Sequence, residues 1–408
     1  MRPSSVPTDN AAWLCCQLGA REHYAVPRAL HRRGELRALI TDAWASPGSP
    51  WPLVPGAPAR RLRERYSSDL ASADVRDFTA SLVAHEALWR VQGRRGWPLV
   101  IARNQWFQAR AAAVLTSMPA PAAIFAHSYA ALEIFRAAKA RGSSTVLGQI
   151  DPGQAHVDVV RQVADRWPEF GPRPAEPPAA YFADWREECR LADRIIVNSE
   201  WSRDSLLGAG IEVNKIRIVP LPYQAEGAAT VDRRYPAAFT PDRPLRVLFV
   251  GSVAAFKGVP SLLESLDHLG NAPIELRLVG PLAATIPQKF LDDRRVRLIG
   301  AVSRSDIMNH YRDADVLVFP SHSDGFGMAQ VEAQAWRLPI IASRACGRVV
   351  RDGIDGLLLP EVSAEAIAAA LRRVMQPAVL MQLSQPAAGN GTSLDAFGDA
   401  LSEILSRG

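Results

Sequence analysis

LRVLFVGSVAAFKGVPSLLESLDHLG, residues 245–270, reads as a strand, a tight turn and a helix in immediate succession. The run from Leu245 to Val250 is nearly all apolar, which suits a parallel strand covered by helices on both faces. Gly251 at its end lets the backbone come close to a ligand. Lys257, six residues on, lies beside Gly258 and a helix start, a placement that suits a phosphate. The alternative is an ordinary strand–helix turn with a solvated lysine. The turn is not a P-loop, because the Gly-Lys-Ser/Thr order is absent, and it lacks the G-x-G-x-x-G dinucleotide pattern.

The same alternation runs outward in both directions. Downstream, IELRLVG (274–280), VRLIG (296–300), ADVLVFP (314–320), LPIIAS (338–343) and GLLLP (356–360) predict further buried strands. SAEAIAAALRRVM (363–375) is a closing helix with a 3.6-residue period. Upstream, AWLCCQL (11–17), LRALITD (36–42), AAIFAHS (122–128), STVLGQI (144–150) and RIIVNS (194–199) predict strands, with helices over 22–34 and 131–142. The proline-rich stretch 45–60 reads as an irregular loop. Residues 221–244 carry four prolines and few aliphatics, and read as an interdomain linker. The expected architecture is α/β, with two comparable halves facing a central cleft. Its parts are an N-terminal, acceptor-side domain (1–220), the linker (221–244), a C-terminal domain (245–390) and a last helix (391–408) packing back on the first domain.

Composition narrows the function classes. A chain of 408 residues exceeds one ordinary domain, and 48% hydrophobic with 22% charged residues supports packed cores. The net charge of +5 favours anionic partners. Ten tryptophans are scattered, not arrayed with arginines, which argues against nucleic acid. Cys15, Cys16, Cys189 and Cys346 lack metal-ligand spacing and read as reduced thiols of a cytoplasmic protein. The polar N-terminus shows no export signal, and no run approaches the roughly 18–20 apolar residues of a membrane span. Arg60-Arg61-Leu62-Arg63-Glu64-Arg65, near Trp44 and Trp51, reads as a solvated helix end; the alternative is a weak peripheral contact with the inner face of a membrane.

The sharpest chemistry lies in PSHSDGFGMAQVEA, residues 320–333. A strand ends at Pro320, the glycines turn tightly, and a helix begins near Met328 with free N–H groups facing the strand's C-terminal edge. Glu332 sits in an apolar helix and needs a partner, because an unpaired buried carboxylate is costly. Ribose or sugar hydroxyls would serve, and an ion pair or N-cap is the plainer alternative. Asp313-Ala314-Asp315 mimics a metal-binding D-x-D, but at a helix-to-strand junction it reads as a cap and turn.

These residues resemble those of the family-four retaining glycosyltransferases (glycosyl transferases group 1). Asp324-x7-Glu332 follows Pro320-Ser321 and precedes Leu338-Pro339-Ile340-Ile341-Ala342-Ser343, as in that family. Gly251 to Gly258 is similar to its phosphate loop, and Asp352-Gly353-Ile354-Asp355-Gly356-Leu357-Leu358-Leu359-Pro360 to a later segment. Ala192 to Glu200 and Lys215 to Pro220 are similar to stretches before its linker. The resemblance implies the GT-B fold, two Rossmann-like domains facing a cleft, and sugar transfer from a nucleoside-diphosphate sugar with retention. It implies no cofactor and no metal. The implied acceptor is a glycan or lipid-linked glycan in cell-surface glycan synthesis.

Carried over, the resemblance implies that Lys257, with Gly251, Ser252 and the Gly325, Phe326, Gly327 and Met328 turn, holds the donor diphosphate. Asp324 would hold a donor-sugar hydroxyl and Glu332 the ribose, with the base between Gly280 and Val302. His127 matches a cleft histidine facing the donor sugar; a core histidine is the alternative. Gly19, Arg21 and His23 would line the acceptor side. Two departures bear on donor identity. Ser252 stands where the family usually has arginine, and Asp324 is a methylene, about 1.5 Å, shorter than the family's glutamate. No covalent nucleophile is implied, and the leaving phosphate would take the acceptor's proton. The rival expectations are a non-catalytic nucleotide-sugar-binding protein and a GT-B-shaped epimerase or phosphorylase.

Overall fold

The computed structural model describes residues 12–51, 62, 65–223, 232–385 and 392–406. Much of the Arg60–Arg65 run, parts of the 45–60 and 221–244 loops, and residues 386–391 lie outside the described residues. Two wholly parallel sheets organise the chain. The first orders its strands β3-β2-β1-β4-β5-β6-β7: β1 (Trp13–Gln17), β2 (Leu36–Thr41), β3 (Val75–Asp77), β4 (Ala123–His127), β5 (Ser144–Gly148), β6 (Arg194–Val197) and β7 (Ile216–Ile218). The second runs β10-β9-β8-β11-β12-β13: β8 (Leu245–Val250), β9 (Ile274–Val279), β10 (Val296–Gly300), β11 (Val316–Phe319), β12 (Ile340–Ala342) and β13 (Gly356–Leu358).

The apolar strand sequences follow from this layering. Leu245, Val247, Leu248 and Phe249 are all buried, some against helices on one face and some against the other. Each such side chain contributes roughly 1.5–3 kcal/mol on leaving water. Strand order reverses beside β1 in the first sheet and beside β8 in the second. Crevices therefore open at the carboxyl ends of β1/β4 and β8/β11, where open α/β sheets bind ligands.

Three features depart from the sequence reading. The first helix begins at Ala25, not at 22; Glu22, His23 and Tyr24 adopt left-handed backbone angles, with φ of 52°, 52° and 59°. Two long helices, Thr79–Val91 and Gly96–Thr116, fill the stretch between the first strands and β4. Residues 154–170, between β5 and β6, place Val163, Trp167 and Phe170 in the core of the second sheet. In the linker, Arg233 is buried and donates to the carbonyls of Tyr311, Ala314 and Trp336 near the ends of two helices. The last helix, Leu394–Ser406, buries Leu394, Phe397, Leu401 and Ile404 in one core with Tyr24, Val26 and Leu30 of the first half.

Candidate active site

Close backbone contacts build the end of β8. A Cβ on Gly280 (φ 143°) would lie 1.8 Å from the Gly251 carbonyl oxygen, so the end of β9 requires glycine for the close approach of the β8 backbone. Gly258 (φ 77°) meets the Pro320 carbonyl in the same way, at 2.0 Å. The turn from Gly251 through Ser252 to Gly258 is thereby pressed on the end of β11. His322 N–H fastens it by donating to the Phe256 carbonyl at 2.9 Å. The short turn Ala255–Lys257 then aims the lysine across the crevice, where its Nζ pairs with the Asp324 carboxylate. The ammonium also lies 5.2 Å from the Phe256 ring centroid and 5.9 Å from that of Phe319.

Asp324 is fixed from several sides. Its N–H donates to the Ala345 carbonyl at 2.9 Å, and its Oδ1 accepts from Phe326 N–H at 3.3 Å. Phe326 is buried against Gly347, where a Cβ would meet its ring at 2.5 Å. Gly327 (φ 86°) starts the helix Met328–Ala335, whose N-terminus has no side-chain cap. Its first N–H groups lack intrahelical partners and carry the positive end of the helix dipole. On this helix Glu332 accepts a hydrogen bond from the Tyr311 hydroxyl at 2.6 Å. Val302, beyond β10, packs partly buried on the cluster containing Val279 and Tyr311. Asp315 is held by Arg243 through two 2.7 Å contacts and accepts from Arg246 N–H, while Asp313 pairs with Arg312.

The first half presents its own crevice at β1 and β4. Gly19 (φ 88°) donates its N–H to Asp42, and the Arg65 guanidinium closes over it. Buried Gln17 grips the carbonyls of Gly19 and Arg21 at 3.0 and 2.9 Å, and Asn198 donates to Glu22 at 2.9 Å. These bonds hold the left-handed turn 22–24. Burial pushes the Glu22 carboxyl up to about 7, against the Asn198 bond and the Arg21 charge. His127 is 4% exposed, and neither ring nitrogen finds a well-formed partner. Burial, with the Arg21 charge adding to it, drives the imidazole down to about 3, so it is neutral at physiological pH. Arg21 is exposed, and His23 sits half-buried beside it.

The halves meet over the turn 323–327. A Cβ on Gly325 would lie 2.6 Å from the Ile150 carbonyl, and Ser202 Oγ donates to the Gly325 carbonyl at 3.2 Å. Trp201 Nε1 donates to Ser323, His156 Nδ1 lies 3.0 Å from the same oxygen, and Arg348 pairs with Glu200. Lys257, Asp324, Gly325, Phe326, Gly327 and Met328 thus come together at the ends of β8 and β11. Glu332 stands one turn along the helix; Gly280 and Val302 lie to the β9 and β10 side. His127, Gly19, Arg21 and His23 form the facing group. Tyr311, His156, Trp201, Gln17 and Asn198 escaped the sequence reading, because each acts through a partner remote in the chain or in an unforeseen turn.

Residues 244–377 match the family model Glycosyl transferases group 1. The chain is 27% identical over 352 residues to a D-inositol 3-phosphate glycosyltransferase of Xylanimonas cellulosilytica, covering 81% of this chain and 77% of that protein. A protein of the same name from Kineococcus radiotolerans is 30% identical over 238 residues, 49% of this chain and about half (53%) of its own length. Among solved structures, HepE of Anabaena in complex with UDP and glucose superposes with a TM-score of 0.62 at 15% identity, over 97% of this chain and 99% of that one. The catalytic domain of starch synthase IV from Arabidopsis thaliana, bound to ADP and acarbose, gives 0.66 at 11% identity, over 97% and 100%.

Proposed function

We propose that the chain is a GT-B glycosyltransferase that moves a sugar from a nucleoside-diphosphate sugar to an acceptor hydroxyl with retention, in cell-surface glycan synthesis. The observation that carries this reading is the Lys257–Asp324 pair, set beside the uncapped head of the Met328–Ala335 helix. A diphosphate arriving there is a stronger partner for the lysine than one carboxylate. It displaces Asp324, which then accepts a hydroxyl of the donor sugar. The lysine and the helix head face the charge that grows on the leaving diphosphate, where electrostatic stabilisation lowers the barrier. Glu332, oriented by Tyr311, accepts the ribose hydroxyls. Neutral His127 offers a hydrogen bond to the sugar or the acceptor from the opposite crevice. Contacts between Gly325 and Ile150 keep water from the reacting carbon when the halves close.

The test is a panel of UDP-, GDP- and ADP-sugars scored by thermal shift. The best donor is then incubated with polyol, glycan and lipid-linked acceptors, and the product anomer is read by NMR. Release of nucleoside diphosphate that requires an acceptor, with the donor's anomeric configuration kept, supports the reading. Saturable binding without transfer favours a binding protein. Turnover of the donor alone to an isomer favours an epimerase.

A further inference from the structure

The helix Gln154–Arg166 precedes β6 in the chain but is anchored on the second half. Val163, Trp167 and Phe170 are buried with Leu262, Leu263 and Phe290. Trp167 Nε1 donates to Glu264 at 3.0 Å, and Thr285 N–H donates to the Phe170 carbonyl at 2.8 Å. Its first turn lies over the donor turn and carries His156, whose ring stands edge-on to Phe256 with centroids 5.2 Å apart. His156 Nδ1 is 3.0 Å from Ser323 Oγ, and Trp201 Nε1–H donates to that same oxygen at 3.3 Å. Ser323 Oγ can accept from the indole and still donate its hydrogen to Nδ1, an arrangement in which the neutral imidazole carries its proton on Nε2. Among the described residues no hydrogen bond engages Nε2.

The charged groups facing the ring are Asp151 from its own loop, with Lys257 and Asp324 from the other half. Burial lowers its proton affinity, the largest influence, so the ring is neutral while the crevice is empty. A donor diphosphate adds two negative charges to this group and engages the lysine that now offsets Asp324. The field around the ring then turns strongly negative, which favours the imidazolium.

We propose that His156 is a second cationic ligand of the donor diphosphate, and that it takes a proton from solvent as the donor binds. This rests on the donor site proposed above. Nε2–H donates to a phosphate oxygen, and the added proton on Nδ1 turns the Ser323 contact into a bond donated by the ring. Anchoring on the second core keeps His156 over Lys257 whichever way the first sheet moves.

The test is calorimetric titration with UDP-glucose, GDP-mannose and ADP-glucose in turn, at pH 7.5 in two buffers of different ionisation enthalpy. A sugar diphosphate lacks the terminal phosphate monoester that titrates near pH 6, so any proton taken up goes to the protein. The expected result is uptake of roughly half a proton or more per donor bound, with affinity falling about tenfold between pH 6 and 8.5. His156→Gln, which retains a polar contact to Ser323, loses the uptake and flattens the pH profile. His156→Lys binds tightly with no uptake. Donor binding without uptake in the wild type, or uptake that persists in His156→Gln, overturns the proposal while leaving the donor site standing. Failure of all three nucleotide sugars to bind overturns both.

Discussion

The turn after β8 and the turn after β1 occupy equivalent places in the two halves, yet they are built by opposite means. After β8, the left-handed angles fall on Gly251 and Gly258, and at Gly258 and the adjoining Gly280 neighbouring backbone leaves no room for a Cβ. After β1, Gly19 takes one such angle but three more fall on Glu22, His23 and Tyr24, residues with side chains, at a cost of roughly 1–2 kcal/mol each. Side chains from elsewhere offset that cost: Gln17, Asn198 and Asp42 hold the loop through hydrogen bonds. Where crowding shapes a turn, glycine marks it in the sequence. Where distant hydrogen bonds impose the shape, nothing local does.

The contrast predicts unequal sensitivity. Gly280→Ala drives a methyl into the Gly251 carbonyl at a φ that L residues avoid, so the second half loses about 4 kcal/mol or more, read as a lowered midpoint in urea. A midpoint unchanged within error would show that the strand ends can part, and the crowding argument would fail.

The loop after β1 answers to pH instead. The Glu22 carboxyl is held near 7 in the fold against about 4.5 when unfolded, so the folded state keeps a proton that the unfolded state releases. Stability therefore falls as pH rises from about 4.5 to about 7, and levels off above. Glu22→Gln cannot titrate, and should gain on the order of 1–3 kcal/mol relative to wild type between pH 5 and pH 8. Parallel thermal-stability profiles for the two proteins would contradict this.

Gly208→Ala completes the comparison at its small end. Gly208 closes the helix Glu200–Gly208, and a Cβ there meets nothing within 4 Å. The change should stay within about 0.5 kcal/mol of wild type, showing that crowding at a glycine, and not glycine itself, makes a position sensitive. A large loss at Gly208 would remove the distinction.

The same contrast explains what could be read from the sequence. The central strands β8, β11 and β12 of the second sheet read as apolar runs, because helices cover both faces and no polar alternation is needed. By contrast, β9 alternates with Glu275 and Arg277, and the edge strand β10 is exposed over residues 297–299. Lys257 and Asp324 stand out as charged residues beside glycines at strand ends, and Glu332 as a carboxylate inside an apolar helix. β3 escaped because Val75–Asp77 is short and mostly polar. The left-handed turn escaped because EHYAVPRALHRR has the composition of a helix throughout, and only Asn198, 176 residues away, shows otherwise. Val159, Val163, Trp167 and Phe170 have an amphipathic spacing, but spacing does not say which sheet receives the face.

The Lys257–Asp324 pair is the hinge of the functional account, and calorimetry on Lys257→Ala tests it most directly. Donor affinity should drop roughly 30- to 100-fold, as expected for losing a charge-assisted phosphate contact while Asp324 is left unneutralised, with the unfolding temperature nearly unchanged. Equal affinity for the nucleotide sugar in the variant and the wild type would mean that the diphosphate binds somewhere else.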